Sequence, residues 1–321
     1  MSPISETVDV VIFGYGACGA ATARRLIASG RSVRVAQRNQ PADLVTGATF
    51  VAADILDSSA VLAASQRARQ IVLSVGFQYD GKIWRDVWPR TMANILDAAE
   101  ATGARVVFVD NLYMYGPQSE PLREDMPLTD YGQKPAVRAD ITRMWMARRD
   151  KVHFTALRAP DFYGPGAGPI SHLGDLAFGA FARGKSATLV IPPDRQHEFA
   201  YVPDIARAVV TLLDAPDDAF GQAWHVPSAP TRTAREILTL GAEALGVKPR
   251  ITAIPLWLLP VLALAMPVLK GMIEMTFVWD RPYKVDHTKF ANRFWNDPTP
   301  FEVGAVETAL WFRSQLAQSA A

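Results

Sequence analysis

Residues 8–38 restrict the possible folds more than any other part of the sequence. The apolar run 8–13 is rich in β-branched side chains and leads directly into a glycine-rich turn at 14–19. A helix-forming run at 20–27 and a second β-branched run at 32–36 follow. Strand, helix and strand in this order predict a βαβ crossover, which places the two strands parallel in one sheet.

The spacing of three glycines in this turn predicts a dinucleotide-binding site. Gly14 permits a sharp turn, Gly16 permits the backbone to approach a pyrophosphate, and Gly19 permits close packing of helix and strand. The unpaired N–H groups at the helix start and its positive dipole end favour an anion. A purely structural turn is the alternative, but the flanking strand and helix favour nucleotide binding. The candidate cofactor residues of the turn are Gly14, Tyr15, Gly16, Ala17, Cys18 and Gly19.

The end of the second strand predicts which dinucleotide binds. NAD-binding chains usually carry an acidic residue about 20 positions beyond the glycines, where it holds the ribose hydroxyls. This chain has Gln37 and Arg38 there, and a guanidinium can pair bidentately with a 2′-phosphate. We therefore expect NADP(H) in preference to NAD(H), with Arg34 as a weaker second contact. The alternative is that Arg38 is only a solvated loop residue.

Strand-like and helix-like segments alternate throughout the first half of the chain. Further strands are predicted at 49–53, 71–76 and 105–109, with helices at 58–69 and 88–101. Alternation of this kind is typical of an α/β fold. The sequence therefore predicts a Rossmann-type doubly wound parallel sheet with helices on both faces.

Two loops of the predicted sheet add candidate cofactor contacts. The third strand leads into Asp54 and Ile55, and the fourth into Ser74, Val75 and Gly76. Ligands of doubly wound sheets lie outside the carboxyl ends of the strands, so all five are included. Asp54 either contacts the adenine amino group or caps the helix that follows, and the sequence favours neither.

Five later segments resemble those of one known family. Residues 110–117 end a strand in a polar pair followed by Tyr-Gly-Pro, and 157–165 again end in Tyr-Gly-Pro. Segments 198–206, 285–290 and 299–311 follow in the family's order. The chain thus resembles the extended short-chain dehydrogenase/reductase superfamily, in its NAD-dependent epimerase/dehydratase group, over nearly its whole length.

This resemblance implies two parts with different tasks. We assign 1–160 to a dinucleotide-binding Rossmann domain, with a returning segment near 197–228. Residues 161–196 and 229–321 are assigned to a smaller, discontinuous C-terminal subdomain that binds the substrate. Shorter segments and more frequent prolines after Pro160 agree with this division, and Pro160 itself is a candidate cofactor contact.

The resemblance also implies hydride transfer between nicotinamide and a carbonyl or alcohol carbon. The family uses a tyrosine for the proton, a lysine four residues later, and a serine or threonine that positions the oxygen. Here Asn111 stands at the serine position, where its amide can still donate to a carbonyl oxygen. Tyr131 precedes Lys134 by three residues only, and Pro135 suits the first helical turn, which leaves Tyr131 in the preceding loop. Tyr131, Lys134 and Asn111 are the candidate catalytic residues, with Lys134 also on the cofactor ribose and Tyr113 or a water as the alternative proton donor.

Further polar and aromatic residues are candidates for substrate binding. Asp110 either meets the substrate or forms a turn, and Arg138 and Arg143 either meet an acidic substrate or are solvated helix charges. The two histidines below lack the spacing of metal ligands, so no metal site is expected. The candidate substrate contacts are Tyr113, Phe162, His172 and His197.

Composition limits the partners and the compartment. Lys and Arg number 33 against 32 Asp and Glu, so no electrostatic footprint for nucleic acid is present. Cys18 is the only cysteine in the sequence, which suits a reducing compartment. We interpret it as a small residue under the cofactor, with oxidative blocking of the turn as the alternative. The first residues lack the features of a signal peptide, and we expect a cytoplasmic monomer or homodimer.

One apolar stretch, residues 251–269, approaches the ~20 residues that span a bilayer. Pro255, Pro260 and Pro267 interrupt it. We interpret it as short helices that line a hydrophobic pocket or a partner surface. Contact with a membrane surface is the possible but less favoured alternative.

The sequence as a whole predicts an NADP-dependent oxidoreductase that acts on a small, moderately apolar carbonyl or alcohol. A nucleotide-sugar epimerase or dehydratase is the first alternative, and it requires a second nucleotide pocket. A non-catalytic sensor that binds the dinucleotide is the second alternative, because the catalytic triad departs from the family pattern.

Overall fold

The computed structural model describes residues 6–265 and 269–320. Its strands are β1 (Val8–Phe13), β2 (Val33–Gln37), β3 (Ala48–Ala52), β4 (Ala68–Leu73), β5 (Arg105–Asp110), β6 (Phe154–Arg158), β7 (Asp161–Tyr163), β8 (Ala187–Leu189), β9 (Gln196–His197), β10 (Phe199–Tyr201), β11 (Ala223–His225), β12 (Arg232–Thr233) and β13 (Ile251–Ala253). Its α-helices are α1 (Ala17–Ala28), α2 (Ser58–Ser65), α3 (Gly81–Thr102), α4 (Lys134–Met146), α5 (Gly179–Ala182), α6 (Val202–Leu213), α7 (Ala234–Leu245), α8 (Leu259–Ala265), α9 (Lys270–Ile273), α10 (Thr288–Arg293) and α11 (Phe301–Ala320).

Seven strands form one sheet in the order β11-β6-β5-β4-β1-β2-β3. The pairs from β6 to β3 are all parallel. The chain runs outward from β1 to β3 on one side and from β4 to β6 on the other, so the strand order reverses between β1 and β4. The predicted α/β doubly wound parallel sheet is confirmed. In such sheets ligands bind outside the carboxyl ends of the strands at the reversal point.

The second half of strand β1 is a continuous, buried apolar run. Val10, Val11 and Ile12 of β1 are 0% exposed. A continuous apolar run is what a parallel sheet covered on both faces requires, whereas a half-covered sheet shows alternation. Trp145 of α4 is also buried, and its ring stacks on Phe154 of β6 with centroids 5.2 Å apart.

The start of α3 differs from the sequence prediction. The helix begins at Gly81 rather than near Trp88, and Pro89 lies inside it. The Asp80 carboxylate accepts hydrogen bonds from the backbone N–H groups of Lys82 and Ile83, which is the usual chemistry of a helix start. The predicted start was wrong because this capping signal was overlooked.

The fourth strand is also shifted from its predicted range of 71–76. Helix α2 ends at Ser65, and Arg67 turns the chain with φ 57°. Strand β4 therefore begins at Ala68 and ends at Leu73. As a result, residues 74–76 follow the strand as a loop.

The chain divides into two compact units. The first comprises residues up to 116, 127–158 and 205–224, and the second comprises 117–126, 159–204 and the residues from 225 onward. Segment 117–126 falls outside the unit to which the sequence assigned it. The reason is backbone pairing: the N–H of Leu122 donates to the carbonyl of Lys284, and the N–H of Asp286 donates to that of Leu122. The assignment of cofactor to the first part and substrate to the second stays a prediction.

The second unit contains three short two-stranded sheets and a helical layer. Its strands pair as β7 with β10, β8 with β13, and β9 with β12. Helix α7 starts with a capping box, in which Thr233 and Glu236 satisfy each other's backbone N–H groups. A Cβ on Gly241 of α7 would lie 2.3 Å from the ring of Phe178, so only glycine fits at this packing contact.

The apolar stretch 251–269 forms short helices, as predicted, but its side chains do not all turn inward. After β13 come a 3₁₀ helix at Leu256–Leu258 and then α8. Trp257 is 75% exposed and Leu264 is 83% exposed, so these side chains do not line a closed pocket. Residues 266–268 of the stretch lie outside the described residues. None of the described helices is long and apolar enough to cross a membrane.

Candidate active site

The turn after β1 is tightly packed at two of its glycines and open at the third. Gly14 has φ +94°, and a Cβ there would lie 2.6 Å from the carbonyl oxygen of Ser74. A Cβ on Gly19 would lie 2.1 Å from the carbonyl oxygen of Gly14. A Cβ on Gly16, in contrast, would meet nothing within 4 Å. Packing therefore requires glycine at 14 and 19, whereas the space beside Gly16 is open for a ligand.

Helix α1 starts at this open turn without a hydrogen bond from a capping side chain. Gly16 is its N-cap, no described side chain accepts a hydrogen bond from the cap, and the first turn contains no acidic residue. The unpaired N–H groups and the helix dipole therefore favour an anion at this position.

Cys18 lies in the first turn of α1 and is buried. Burial raises the pKa of its thiol to about 12. The thiol therefore stays protonated near neutral pH, and a protonated, buried thiol is a poor target for oxidation. The geometry favours the packing role of Cys18 over oxidative blocking of the turn.

The end of β2 is tied to the glycine turn by two side chains. The N–H of Tyr15 donates to Oε1 of Gln37 at 3.0 Å, and Nε2 of Gln37 donates to the carbonyl of Asn39 at 2.8 Å. The hydroxyl of Tyr15 accepts a hydrogen bond from the N–H of Val45 at 2.9 Å. These contacts fix the loop after β2 beside the turn.

The two arginines of this region have different surroundings. Arg38 is exposed and makes no hydrogen bond or ion pair with any described residue. Arg34 is 3% exposed, and its guanidinium donates to the carbonyls of Glu6, Ala64 and Gln66 at 2.8–2.9 Å. The prediction that Arg34 is a second phosphate contact is wrong, because its donors are used inside the fold.

The loops after β3 and β4 follow the carboxyl ends of two parallel strands, so both loops lie at the same end of the sheet. The Asp54 carboxylate accepts from the N–H of Leu56 at 3.0 Å. It does not cap α2, because Asp57 does so through the N–H groups of Ser59 and Ala60. The capping alternative for Asp54 is therefore wrong, and its contact with adenine stays a prediction. Amide Nδ2 of Asn94 donates to the carbonyl of Ile55 at 2.9 Å, which holds this loop on α3.

The other predicted cofactor residues follow two strands of the sheet: residues 74–76 follow β4, and Pro160 follows β6. Ser74 lies directly against Gly14, Val75 packs on the apolar core, and Gly76 is exposed. Pro160 follows β6, is buried, and belongs to the second unit. The roles of these residues in cofactor binding stay predictions.

Lys134 is the first residue of α4 and is 1% exposed. Its Nζ lies 4.6 Å from the centroid of the Tyr79 ring, a cation–π contact. The hydroxyl of Tyr79 donates to the hydroxyl of Tyr113 at 3.3 Å, and the Tyr113 ring stacks on Trp84. The structure therefore groups a buried ammonium with two phenols.

Tyr131 lies in the loop before α4, as its spacing predicts. It is 44% exposed, and its N–H donates to Oγ1 of Thr129 at 3.1 Å. Pro135 lies in the first turn of α4, also as predicted. Tyr131 is thus not on the same helix as Lys134, and its role as proton donor stays a prediction.

Asn111 follows β5 and is held by its own turn. Its Oδ1 accepts from the N–H of Tyr113 at 3.0 Å. The amide nitrogen is the only donor of this side chain, so Asn111 can still donate to a substrate oxygen while its Oδ1 stays bound to the backbone.

Asp110 and Arg138 form a buried ion pair instead of an open substrate contact. Nη1 of Arg138 donates to Oδ1 of Asp110 at 2.8 Å, and Arg158 Nε lies 3.9 Å from Oδ2 of Asp110. The guanidinium of Arg138 lies 3.7 Å from the Trp88 ring centroid. The interpretations of Asp110 and Arg138 as substrate contacts are wrong, because both charges are enclosed. Oδ1 of Asp110 also accepts from the N–H of Asn111 at 2.8 Å, which agrees with the turn-forming alternative.

Arg143 is the solvated helix charge that the sequence allowed for. Its guanidinium pairs with Asp130 at 3.0 Å and with Asp140 at 2.8 Å. These hydrogen bonds raise its pKa, and the side chain is 45% exposed.

The second unit contains a compact cluster around Asp161. One carboxylate oxygen of Asp161 lies 2.9 Å from Nε2 of His197, 3.2 Å from Nε1 of Trp279 and 3.8 Å from Nε2 of His172. Burial alone would raise the pKa of Asp161, but these three neighbours together lower it to about 2. Burial also lowers the pKa of His172. Asp161 is therefore a buried carboxylate whose charge is stabilised by the neighbouring side chains of this cluster.

The predicted substrate residues are divided between the units. Tyr113 belongs to the first, whereas Phe162, His172 and His197 belong to the second. His197 is 4% exposed and its ring stacks on Tyr283, so most of its surface is already covered. Among the described residues, no group of three or more histidine, cysteine or acidic side chains could hold a metal ion.

A doubly wound sheet with this turn at its reversal point defines a class, the dinucleotide-binding Rossmann proteins. The model of the NAD dependent epimerase/dehydratase family matches residues 10–226. The chain belongs to that family of enzymes, within the extended short-chain dehydrogenases/reductases, and the resemblance found in the sequence is confirmed.

Solved structures show the same fold at low sequence identity. UDP-glucose 4-epimerase of Thermus thermophilus, in complex with NAD, has a TM-score of 0.76 and 21% identity over 95% of this chain and 99% of that chain. The dTDP-glucose 4,6-dehydratase DesIV of Streptomyces venezuelae, with NAD and TYD bound, has a TM-score of 0.77 and 19% identity over 97% and 98%. The Bordetella bronchiseptica enzyme WbmH, in complex with NAD+, has a TM-score of 0.72 and 19% identity over 96% and 99%. No curated protein matches the sequence.

Sequence reasoning missed two parts of these sites. Tyr79 lies beside Lys134, but it belongs to the loop after β4, which contains none of the three residues of the family's catalytic triad. Asp161 and Trp279 are far apart in the sequence, and only the fold brings them to the histidines. For Tyr79, a usable signal existed: it follows Gly76, a residue already expected near the cofactor.

Proposed function

We propose that the protein is an NADP-dependent oxidoreductase that transfers hydride between nicotinamide and a carbonyl or alcohol carbon of a small, moderately apolar substrate. The observation that carries this proposal is the turn at Gly16. It caps α1 with backbone alone, it has open space beside it, and it lies where the strand order reverses.

The residues of the first unit fit a dinucleotide. The open N–H groups of α1 suit a pyrophosphate, and the missing Cβ of Gly16 leaves room for it. Residues 74–76 border the turn where Ser74 contacts Gly14. When bound, the dinucleotide supplies or accepts the hydride. The whole proposed set of cofactor contacts is Gly14, Tyr15, Gly16, Ala17, Cys18, Gly19, Gln37, Arg38, Asp54, Ile55, Ser74, Val75, Gly76, Lys134 and Pro160.

Arg38 supports NADP in preference to NAD. It stands one residue beyond β2, is exposed, and has no partner among the described residues. Its guanidinium is therefore available to pair with a 2′-phosphate. NAD-binding chains usually have a carboxylate at the end of this strand, where it binds the ribose hydroxyls. Here Gln37 occupies that position, and its side-chain oxygen accepts a hydrogen bond from the N–H of Tyr15.

The residues near α4 have separate tasks in the proposed reaction. Asn111 donates from its amide nitrogen to the substrate oxygen and so orients the reacting carbon. Lys134, buried at the start of α4, places a positive charge where negative charge develops on oxygen. A phenol exchanges the proton with that oxygen. The sequence predicts Tyr131 for this last task.

Steady-state consumption of NADPH with a panel of aliphatic and aromatic aldehydes and ketones tests the proposed function. We expect turnover with at least one member of the panel, and weaker turnover with NADH. NADPH binding without turnover of any carbonyl would contradict the oxidoreductase and favour the non-catalytic sensor.

A second candidate is supported by the fold neighbours. Two of the structures described above are a nucleotide-sugar epimerase and a nucleotide-sugar dehydratase. An enzyme of that kind returns the hydride to its substrate, so it converts a nucleotide sugar without net consumption of dinucleotide. Product formation from UDP- or dTDP-glucose with the bound cofactor unchanged would favour this candidate.

A further inference from the structure

Helix α4 carries two charges along the face that it buries. Lys134 and Arg138 are four residues apart, so they lie on the same face of the helix. Lys134 is 1% exposed and Arg138 is 5% exposed. Arginine is almost never buried unless it is paired, because the removal of an ion from water is costly. The partners of Arg138 therefore indicate why its charge is kept inside the fold.

The charge of Arg138 is paired with that of Asp110, which ends β5. Nη1 of Arg138 donates to Oδ1 of Asp110 at 2.8 Å, and the side chain of Asp110 is 0% exposed. The guanidinium also lies 3.7 Å from the ring centroid of Trp88 and 4.9 Å from that of Trp84, both on α3. The side chain of Arg138 thus joins α4 to β5 and to α3.

A second arginine extends this pair to β6. Nε of Arg158 lies 3.9 Å from Oδ2 of Asp110, and Nη2 of Arg158 donates to Oγ1 of Thr142 at 3.3 Å. Oγ1 of Thr142 donates in turn to the carbonyl of Arg138 at 2.9 Å. Burial raises the pKa of Asp110, and the charges of Arg138 and Arg158 act against that rise. The carboxylate therefore depends on two cations, one on α4 and one on β6.

The ion pair is connected to both candidate catalytic residues that lie beside it. The oxygen of Asp110 that pairs with Arg138 also accepts from the N–H of Asn111 at 2.8 Å. Asn111 is held in the same turn, because its Oδ1 accepts from the N–H of Tyr113 at 3.0 Å. Lys134 lies one helical turn before Arg138. One end of the ion pair therefore holds the turn of Asn111, and the other holds the start of α4.

Stability alone does not explain a buried pair of this kind. Replacement of a buried ion pair by apolar residues of similar volume is often neutral or stabilising, because the attraction of the charges is offset by their lost hydration. A charge-assisted hydrogen bond is, however, short and directional. The pair is therefore better suited to fix the positions of neighbouring groups than to stabilise the fold.

We propose that the ion pair of Asp110 and Arg138 positions Asn111 and Lys134 relative to each other for the reaction. This rests on the proposed oxidoreductase function, in which Asn111 orients the substrate oxygen and Lys134 stabilises the charge that develops on it. Asp110 and Arg138 act through these two residues, so both are positioning residues.

Substitution of Arg138 tests this proposal by activity. Arg138→Met keeps an unbranched side chain against Trp88 and leaves Asp110 opposite the single cation of Arg158, so the variant should fold. We expect its kcat at saturating NADPH to fall by about 10- to 100-fold, since a displacement of about 1 Å near a reacting group costs up to roughly 10²-fold. Arg138→Lys, which restores a cation beside Asp110, should recover part of this loss.

A control and a stability measurement distinguish positioning from a structural role. Arg148→Met breaks surface ion pairs just after α4 and should keep kcat within about twofold, because such pairs contribute little. Urea denaturation of each variant gives its midpoint of unfolding. If Arg138→Met lowers the midpoint but keeps the wild-type kcat, the pair only stabilises the fold, and the proposal is overturned.

Hydrogen exchange tests the positioning without any ligand. The N–H groups of Asn111 and Tyr113 are both bonded within the turn, so their exchange rates report whether the turn is fixed. In Arg138→Met we expect both to exchange at least ~10-fold faster, whereas the N–H of Val106, bonded to the carbonyl of His153, should be unchanged. Nuclear magnetic resonance of the isotope-labelled, full-length protein measures these rates. Unchanged exchange at Asn111 and Tyr113 would overturn the proposal.

The outcomes separate this proposal from the proposed function. If the wild type reduces no carbonyl, the proposed function fails, and hydrogen exchange alone decides whether the pair fixes the turn. If the wild type is active and Arg138→Met keeps its kcat, the positioning role is overturned and the oxidoreductase stands. Should Arg138→Met not fold, Arg138→Lys is measured instead, and slower turnover with faster exchange is again expected, because an ammonium cannot reproduce the planar contacts of the guanidinium.

Discussion

Arg34 lies inside β2 and Arg38 lies just after it, and the two side chains have different surroundings. Arg34 donates to three backbone carbonyls inside the fold, whereas Arg38 has no partner among the described residues. From the position of Arg38 after the strand, the sequence predicts a cofactor contact there, which stays a prediction. It could not exclude Arg34, because the carbonyls that bind it become available only when α2 and the N-terminal residues pack against β2.

Substitution of Arg38 tests the cofactor preference. A charge-assisted hydrogen bond contributes about 1.5–3 kcal/mol, so Arg38→Ala should weaken NADPH binding by roughly 10- to 100-fold and leave NADH binding unchanged. Arg85→Ala, which removes an exposed cation from α3, is the matched control. Fluorescence titration measures both dissociation constants. A parallel loss for NADPH and NADH would show that Arg38 does not contact the 2′-phosphate.

Glu198 gives the second unit an unusual dependence on pH. It is 2% exposed and accepts from the hydroxyl of Thr231 at 2.6 Å, and burial raises its pKa from 4.5 to about 7. The unfolded chain releases this proton near pH 4.5 and the folded chain near pH 7. The stability contributed by the protonated form is therefore complete below pH 4.5 and is lost as the pH rises through 7.

Glu198→Gln tests this linkage. The substitution keeps the shape and removes the titration, so the wild type should lose ~3 kcal/mol more than the variant between about pH 5 and about pH 8. Urea denaturation across this range measures the free energy of unfolding of both proteins. Parallel curves would mean that Glu198 does not titrate with a raised pKa.

At the scale of elements, the start of α1 explains why three glycines occur in one turn. Glycine is required at position 14 because the turn packs there against Ser74 in the loop after β4, and at position 19 because the helix packs there against Gly14. Gly16, in contrast, faces open space. The motif predicted a sharp turn at Gly14 and close packing at Gly19, and the structure agrees with both. The approach of a pyrophosphate to Gly16 stays a prediction. The sequence could not show that the carbonyl of Ser74 excludes a Cβ at Gly14, because that contact comes from the loop after β4.

Two alanine substitutions separate these roles. Gly19→Ala should destabilise the fold, because its Cβ would lie 2.1 Å from the carbonyl oxygen of Gly14. Gly16→Ala should fold with nearly wild-type stability, because its Cβ meets nothing within 4 Å, and should lose NADPH binding by at least ~10-fold through contact with the pyrophosphate. Thermal unfolding and calorimetric binding measure the two effects. Loss of stability in Gly16→Ala with binding retained would contradict the assignment.

The beginning of α4 determines the chemistry near Lys134. Because Pro135 lies in the first helical turn, the helix cannot place Tyr131 one turn before Lys134. This was predictable from spacing. The neighbours that Lys134 has instead were not predictable, because Tyr79 reaches it from the loop after β4 and Arg138 is enclosed by tryptophans of α3.

At the scale of the whole molecule, the alternation of strand-like and helix-like segments in the sequence was sufficient to predict the parallel sheet. The β-branched runs and the glycine turn determine β1 and β2, and alternation of strands and helices gives the parallel order. Periodicity was not sufficient for the limits of the two units or for the cluster at Asp161, where residues from separate segments meet. Contacts between distant segments depend on tertiary packing, which leaves no local pattern in the sequence.

The central claim is that the turn of the first unit binds a phosphorylated nicotinamide dinucleotide. Calorimetric titration of NADPH and of NADH into the folded, full-length protein measures it directly, with Gly16→Ala as the control. We predict saturable heat with NADPH at a stoichiometry near one per chain, weaker binding of NADH, and little heat from the variant. Absence of heat with both dinucleotides, in protein shown to be folded, would contradict the account.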